Sequence, residues 1–229
     1  MIKLTKRLEA IKNHISVGAK VIDVGTDHGY IPVYLAVNDM ASSIIAADIN
    51  SGPLSKAREL AKEYDVTEKM SFVLTDGLKG IEPNADTIII AGMGGETIIS
   101  ILEAAPWVHE NGVKLILQPQ SKISDLTLWL AEKGFSVKSC ELVCEREKYY
   151  IIMEVSAGEI SQEAFEPMYA EKLLLNARDP ILPEYLDNLI RRQKYIVKGL
   201  EESKNGDQLD ENKAVLSKLL ELKGETEKW

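Results

Sequence analysis

The chain has 229 residues, 45% of them hydrophobic, enough for one full domain with a smaller second body, and no run approaches the roughly eighteen apolar residues of a membrane span. With a net charge of −9 and neither half basic, a broad phosphate-binding face is disfavoured, so any nucleic-acid contact must be a local patch. The two cysteines are too few for a disulfide framework or for the three-thiolate cluster of radical chemistry, no metal site is expected, and the N-terminal MIKLTKRLEA lacks the apolar core of a signal peptide, so the expected location is cytoplasmic.

The first predicted element is an amphipathic helix over Thr5–His14, with Leu8, Ile11 and Ile15 at helical spacing and Lys6, Arg7 and Lys12 on other faces. His14 falls in its last turn, where a cation is favoured. Lys20–Val24 reads as a buried parallel strand that breaks into a loop bracketed by Gly25 and Gly29, followed by a helix over Ile31–Asn38. Ser43–Ala47 is a second strand ending at Asp48, and a helix over Leu54–Tyr64 follows, with Pro53 near its start where the missing N–H is harmless.

Met70–Leu74 is a third strand ending in Thr75-Asp76-Gly77. Asp86–Ala91 is a fourth, opening into Gly92-Met93-Gly94-Gly95 and a helix over Glu96–Ala105. Val113–Leu117 is a fifth, ending in Gln118-Pro119-Gln120-Ser121, and the helix over Ile123–Lys133 stops at Gly134. This alternation predicts a parallel sheet with helices on both faces and ligands at the carboxyl ends of its strands. Ser136–Cys144 and Tyr149–Val155 then lie too close together for a crossover and must pair antiparallel, with Cys140 and Cys144 on one face as core residues.

Beyond Gly158 the strand signal ends. Leu186, Leu189, Ile190, Ile196, Val197 and Leu200, then Leu209, Leu216, Leu219 and Leu220, follow helical spacing on either side of an Asn205-Gly206-Asp207 turn signal. The expected organisation is a Rossmann-like α/β domain over 1–158, with a mainly parallel seven-stranded sheet and a terminal antiparallel hairpin, and a helical domain over 159–229.

Each parallel strand ends in a polar or glycine cluster where a ligand would sit. Asp48 lies 23 residues after Gly25, the reach of a carboxylate that grips a ribose diol, and Asp76 is placed to accept from an adenine amine. Taken alone, either acid could instead cap a helix or serve a turn. A dinucleotide fingerprint would need glycine where Asp27 and Tyr30 stand, and a carboxylate beside a pyrophosphate is repelled. S-adenosylmethionine carries adenosine without phosphate, and its sulfonium and ammonium favour nearby carboxylates such as Asp23 and Asp27. It is the expected cofactor.

These segments together resemble the TrmK-type bacterial tRNA (adenine-N1)-methyltransferases: Val21–Tyr30 with its D-H-G-Y end, Ala47-Asp48-Ile49-Asn50 with Gly52-Pro53-Leu54, Asp76-Gly77-Leu78, Ala91–Gly95 and Leu117–Gln120. The likeness covers nearly the whole chain, including the C-terminal helices, which form a coiled-coil-like domain in that family. It implies a class I methyltransferase fold and methyl transfer from S-adenosylmethionine to N1 of adenine 22 in tRNA. Methyltransferases acting on exocyclic base amines typically carry an Asn/Asp-Pro-Pro-aromatic motif after the fourth strand. Gly92–Gly95 replaces it here, which favours a ring nitrogen as acceptor.

With that likeness, the cofactor site is expected at Asp23, Gly25, Asp48, Ile49, Asp76, Gly77, Gly92 and Met93. Asp27, His28 and Tyr30 form the expected catalytic group, with Asp27 stabilising positive charge on the base and His28 and Tyr30 orienting or stacking on it. Gly94, Gly95, Gln118 and Pro119 are expected on the substrate side. Arg191, Lys194 and Lys198, at i, i+3 and i+7 on one helix face with Arg192 close by, are the candidate RNA contact, against the plain alternative of a solvated surface. A small-molecule N-methyltransferase and a non-catalytic RNA-binding protein are the alternative functions. A monomer is the favoured oligomeric state.

Overall fold

The computed structural model describes residues 2–203 and 206–229. Two compact units are distinguished, Met1–Tyr169 and Ala170–Trp229.

The first unit opens with α1 (Lys6–Asn13), capped by Thr5, whose hydroxyl accepts from the Leu8 N–H at 3.5 Å. There follow β1 (Ala19–Val24), α2 (Tyr30–Val37), β2 (Ala41–Asp48), α3 (Ser51–Glu63), β3 (Ser71–Leu74), β4 (Thr87–Gly94), α4 (Gly95–Glu103), α5 (Trp107–Glu110), β5 (Lys114–Ser121), α6 (Ile123–Glu132), β6 (Phe135–Glu145) and β7 (Lys148–Ala157). The sheet order is β3-β2-β1-β4-β5-β7-β6. The first five of these strands pair in parallel, and β7 inserts antiparallel between β5 and β6. This is the seven-stranded, mainly parallel Rossmann-like sheet expected, with its hairpin closed by Arg146 and Glu147, both at positive φ as a two-residue turn matched to the strand twist requires.

Both sheet faces are covered. Val21, Ile44, Ala46, Ile89, Ile116 and Ile152 face a core completed by Ile11 of α1, Leu35 of α2 and Ala61 of α3. Ile88, Ile90, Leu115 and Leu117, of opposite parity along their strands, are fully buried on the other face, where α4 and α6 lie. Such near-continuous apolar strands are what a doubly covered parallel sheet demands.

Three local readings change. The strand expected to stop at Ala91 runs on to Gly94, because Met93 and Gly94 pair irregularly with Pro119 and Ser121 beyond the Ala91–Gln118 rung. His14 is the C-cap of α1, and its ring stands between two carboxylates, Nε2 at 3.2 Å from Glu141 and Nδ1 at 3.3 Å from Glu154, which fastens α1 to the terminal hairpin. Cys140 and Cys144 lie on one strand face without a disulfide and are half-buried rather than core residues. His109 is exposed, its ring edge-on to Phe135 at 5.0 Å.

Residues 159–169, with the short helix Gln162–Phe165, belong to the first unit, where that helix packs on α6. The second unit comprises the rest of α7 (Tyr169–Asn176), α8 (Leu182–Ser203) and α9 (Gly206–Thr226). Helices α8 and α9 run antiparallel: Lys223 donates to the Pro183 carbonyl at 2.9 Å and pairs with Asp187 at 2.7 Å, while Gln193 donates to the Asn212 side chain at 2.8 Å. Leu186, Ile190 and Val197 of α8 and Leu219 and Leu222 of α9 are buried. Of the predicted turn 205–207, Asn205 lies outside the described residues and Gly206 begins α9. Among the described residues no helix is long and apolar enough to cross a membrane.

Candidate functional site

The carboxyl ends of β1, β2, β3 and β4 converge on two clefts that share Gly25 and Met93. One, of about 410 Å³, is lined by Asp48, Ile49, Asn50, Asp76, Gly77, Thr97 and Ile101 among others. The second, of about 560 Å³, is lined by Asp23, Thr26, Asp27, His28, Tyr30, Gly92 and Gln120, with Lys3, Arg7 and Glu145 at its α1 side. Polar ends of parallel strands beside the first two crossovers are where such a sheet binds ligands.

The loop after β1 is held by backbone. The Gly25 and Thr26 N–H groups both donate to the Ala47 carbonyl, at 2.8 and 3.0 Å, and the Gly29 N–H donates to Thr26 at 2.8 Å. Gly25 has φ +71, and a Cβ there would lie 2.2 Å from Met93 Cε. Glycine is required on both counts, and its bareness joins the two clefts. Gly29, at φ +72, lets α2 begin against Ala57, whose Cβ would lie 2.7 Å from an added methyl.

In the smaller cleft Asp48 is 8% exposed, its two oxygens accepting from the Asn50 N–H at 2.9 Å and, more weakly, the Asp27 N–H at 3.4 Å. Those bonds fix the carboxylate and leave lone pairs for a diol. Ile49 is 62% exposed, an apolar side chain presented beside the cleft where a flat base could cover it. Asp76 is exposed and paired with Lys79 at 2.5 Å, so a ligand amine must share or replace that cation. Gly77 has φ +62, and a Cβ on it would press on Ile101 at 3.0 Å.

In the larger cleft Asp23 is buried, and desolvation pushes its carboxyl up to about 6, with the Asp48 charge adding to the rise. The Thr26 hydroxyl beside it pulls the other way but forms no hydrogen bond of ordinary geometry, so desolvation prevails. A buried acid next to an unpartnered hydroxyl fits a cationic ligand that also accepts or donates hydrogen bonds. Asp27 has φ +50, a conformation rare outside glycine, which carries its exposed carboxylate over the opening. His28 Nε2 lies 3.6 Å from Asp27 Oδ1, beyond a normal hydrogen bond, and the His28 and Tyr30 rings are 5.8 Å apart with an interplanar angle of 31°. Tyr30 is 42% exposed, leaving its face open to an incoming ring.

The expected residues thus divide. Asp23, Gly25, Asp27, His28, Tyr30, Asp48, Ile49, Asp76, Gly77, Gly92 and Met93 line one cleft or the other. Gly94, Gly95, Gln118 and Pro119 do not. A Cβ on Gly95 would fall 2.5 Å from the Lys122 carbonyl oxygen, so the glycine serves the approach of α4 to the end of β5. Gln118 is fully buried, donating to the Pro119 carbonyl at 2.9 Å and accepting from Arg7 Nη1 at 2.8 Å. Arg191, Lys194 and Lys198 are exposed on α8, with Tyr195, 82% exposed, among them.

Reading the sequence alone singled out neither Arg7, beyond its place in a basic cluster, nor Thr26, Gln120 and Glu145 as site residues. Arg7 meets Gln118 across 111 positions, and no local spacing signals such a contact. Among the described residues no three His, Cys, Asp or Glu side chains form a metal-binding group.

A methyltransferase-domain family model matches residues 4–153. The tRNA (adenine(22)-N1)-methyltransferase of Bacillus subtilis is 35% identical over 159 residues, 69% of this chain and 67% of that protein. The crystal structure of the B. subtilis m1A22 tRNA methyltransferase TrmK superimposes with a TM-score of 0.79 at 27% identity, covering 100% of this chain and 99% of that one. A Streptococcus pneumoniae candidate tRNA (m1A22) methyltransferase, crystallised with S-adenosyl-L-methionine, gives a TM-score of 0.79 at 29% identity, covering 93% of this chain and 100% of that one.

Proposed function

The chain belongs to the methyltransferase-domain family and, within it, to the tRNA (adenine(22)-N1)-methyltransferases, and we propose accordingly that it transfers the methyl group of S-adenosylmethionine to N1 of adenine 22 in tRNA. The observation that carries this is the pair of clefts meeting over Gly25 and Met93, one with carboxylates suited to a nucleoside, the other with a buried acid and an open aromatic edge.

When bound, S-adenosylmethionine supplies an electrophilic methyl on a sulfonium. Asp48 holds the ribose diol through its free lone pairs, Asp76 accepts from the adenine amine, and Ile49 covers the ring. Asp23 receives the ammonium of the amino-acid tail, the cation that its buried carboxyl lacks. Gly25 and Gly92 let the ligand lie against the backbone.

Adenine N1 carries an in-plane lone pair, so no proton need be removed before attack, and the protein's work is alignment and exclusion of water. Tyr30 and His28 present ring faces to the target base. Asp27 accepts from the exocyclic amine of that base, or from His28, and places negative charge where the product becomes cationic. N1 lies on the pairing edge, so a paired adenine must be exposed before it can enter.

In the second unit, Arg191, Lys194 and Lys198 offer phosphate contacts, with Tyr195 as a stacking surface among them. A cluster of exposed cations on an otherwise acidic chain supports tRNA over a small-molecule acceptor. The test is incubation with isotopically labelled S-adenosylmethionine and unmodified tRNA, followed by mapping of the labelled nucleoside. Label in 1-methyladenosine at position 22 is the expected result, and label absent from tRNA overturns the proposal.

A further inference from the structure

Gln120 lines the larger cleft, and nothing in the chemistry above uses it. Its place is set by irregular pairing at the end of the sheet. Along β4 and β5 the rungs run Ala91 with Gln118, Met93 with Pro119 and Gly94 with Ser121. Gly92, at φ +78, is therefore the extra residue on β4, and Gln120 is the extra residue on β5. Two bulges on neighbouring strands adjoin, and a bulge re-aims the side chain it carries.

The two glutamines at this strand end show the consequence. Gln118 is fully buried and its amide is used at both ends, by Arg7 and by the Pro119 carbonyl. Gln120 is exposed, and among the described residues its amide has no hydrogen-bond partner. A Cβ built on Gly92 would lie 3.6 Å from Gln120 Nε2, so the amide stands over the bare end of β4. The Pro119 and Ser121 rungs tie the backbone on either side of it, so the amide is presented from a fixed strand end.

Strand order decides what this amide faces. β4 lies between β1 and β5, and the loop after β1 carries Asp27 into the same cleft. A purine over the end of β4 with its 6-amine toward Asp27 turns its opposite edge, C2–H and the N3 lone pair, toward β5. N3 is an acceptor, and the Gln120 amide has two N–H donors to offer it.

We infer that Gln120 binds N3 of the target adenine and, with Asp27 on the opposite edge, sets the in-plane angle at which N1 meets the methyl group. The inference rests on the function proposed above and adds a base-binding residue to it. A ring held at one edge can pivot in its plane, whereas holding both edges keeps N1 aligned for attack.

The test pairs one side chain with one ring atom. Unmodified tRNA carrying adenine or 3-deazaadenine at position 22 is methylated by wild type, Gln120→Ala and Gln120→Glu, and kcat/KM is measured for each. On adenine, Gln120→Ala should lose about tenfold, the effect of one hydrogen bond. Gln120→Glu should lose at least as much, because a carboxylate sets lone pairs against the N3 lone pair. On 3-deazaadenine, where C–H replaces N3, Gln120→Ala should stay within about twofold of wild type; the altered basicity of N1 is common to both proteins and cancels. S-adenosylmethionine affinity, by calorimetry, should stay within about twofold of wild type in both variants. Equal losses on the two substrates, or no loss on adenine, would overturn the inference. So would a fall in S-adenosylmethionine affinity as large as the loss of kcat/KM, which would assign the amide to the cofactor. If the wild-type protein leaves position 22 of the adenine-bearing tRNA unmethylated, the proposed function itself fails and the inference falls with it.

Discussion

Gly25 and Met93 meet so closely that a methyl group on the glycine would lie 2.2 Å from Met93 Cε. The contact forms the saddle between the two clefts, both of which these two residues line. Gly25→Ala adds a strained positive φ and drives the flexible end of Met93 into one cleft. The expected result is a stability loss of about 1–2 kcal/mol by thermal denaturation and at least tenfold weaker S-adenosylmethionine binding by calorimetry. Gly95→Ala is the contrast: its methyl meets the Lys122 carbonyl oxygen at 2.5 Å, a backbone group, so roughly 2 kcal/mol or more of stability is lost through displacement of α4.

Asp23 sets a pH dependence whose sign differs between stability and binding. Its folded-state value of about 6 lies above the 3.8 of an unperturbed aspartate, so the folded protein holds the proton more tightly. Stability of the ligand-free protein therefore falls as pH rises from about 4 to about 6, by up to about 3 kcal/mol, and stays at that lower level above. Asp23→Asn removes this penalty, so the variant should melt higher than wild type at pH 8, with the advantage gone at pH 4. Binding runs the other way: the ammonium of the ligand needs the ionised acid, so wild-type affinity should drop as pH falls through 6, and the Asn variant should bind weakly at every pH.

Asp27 is proposed to act on the base, so its substitutions should separate chemistry from binding. Single-turnover rates with saturating tRNA and cofactor should fall about 10- to 100-fold in Asp27→Asn and Asp27→Ala, with S-adenosylhomocysteine affinity within about threefold of wild type. Wild-type rates in both variants would remove Asp27 from the mechanism.

Much of this arrangement could be read from the sequence because its signals are local. Strands such as Asp86–Ala91 carry an unbroken apolar run, here Ile88 to Ala91, helices carry three- and four-residue spacing, and Asp23, Asp48 and Asp76 each mark a strand end. What could not be read is what depends on partners distant in sequence. The continuation of β4 through Gly94 is made by pairing with Pro119 and Ser121 of β5. The Gln118-Pro119 element, expected to face the substrate, turns inward because Arg7, on the N-terminal helix, supplies its hydrogen bond. His14 gave a helix-end signal, while its carboxylate neighbours lie on a hairpin more than a hundred residues away.

The basic face of α8 carries a separate expectation. Arg191→Glu combined with Lys194→Glu should weaken tRNA binding and reduce the slope of log affinity against log salt by about 1 to 2, without changing S-adenosylmethionine affinity. An unchanged slope would make that face an ordinary solvated surface.

Transfer to a ring nitrogen is tested most directly by replacing one atom. Unmodified tRNA is prepared with adenine or with 1-deazaadenine at position 22, incubated with labelled S-adenosylmethionine and the protein, and the labelled nucleoside is identified by mass spectrometry. The predicted result is a single methyl group on N1 of adenine 22 and no label at position 22 in the deaza substrate. Methyl transfer to the deaza base, to the exocyclic amine, or to another nucleoside would contradict it.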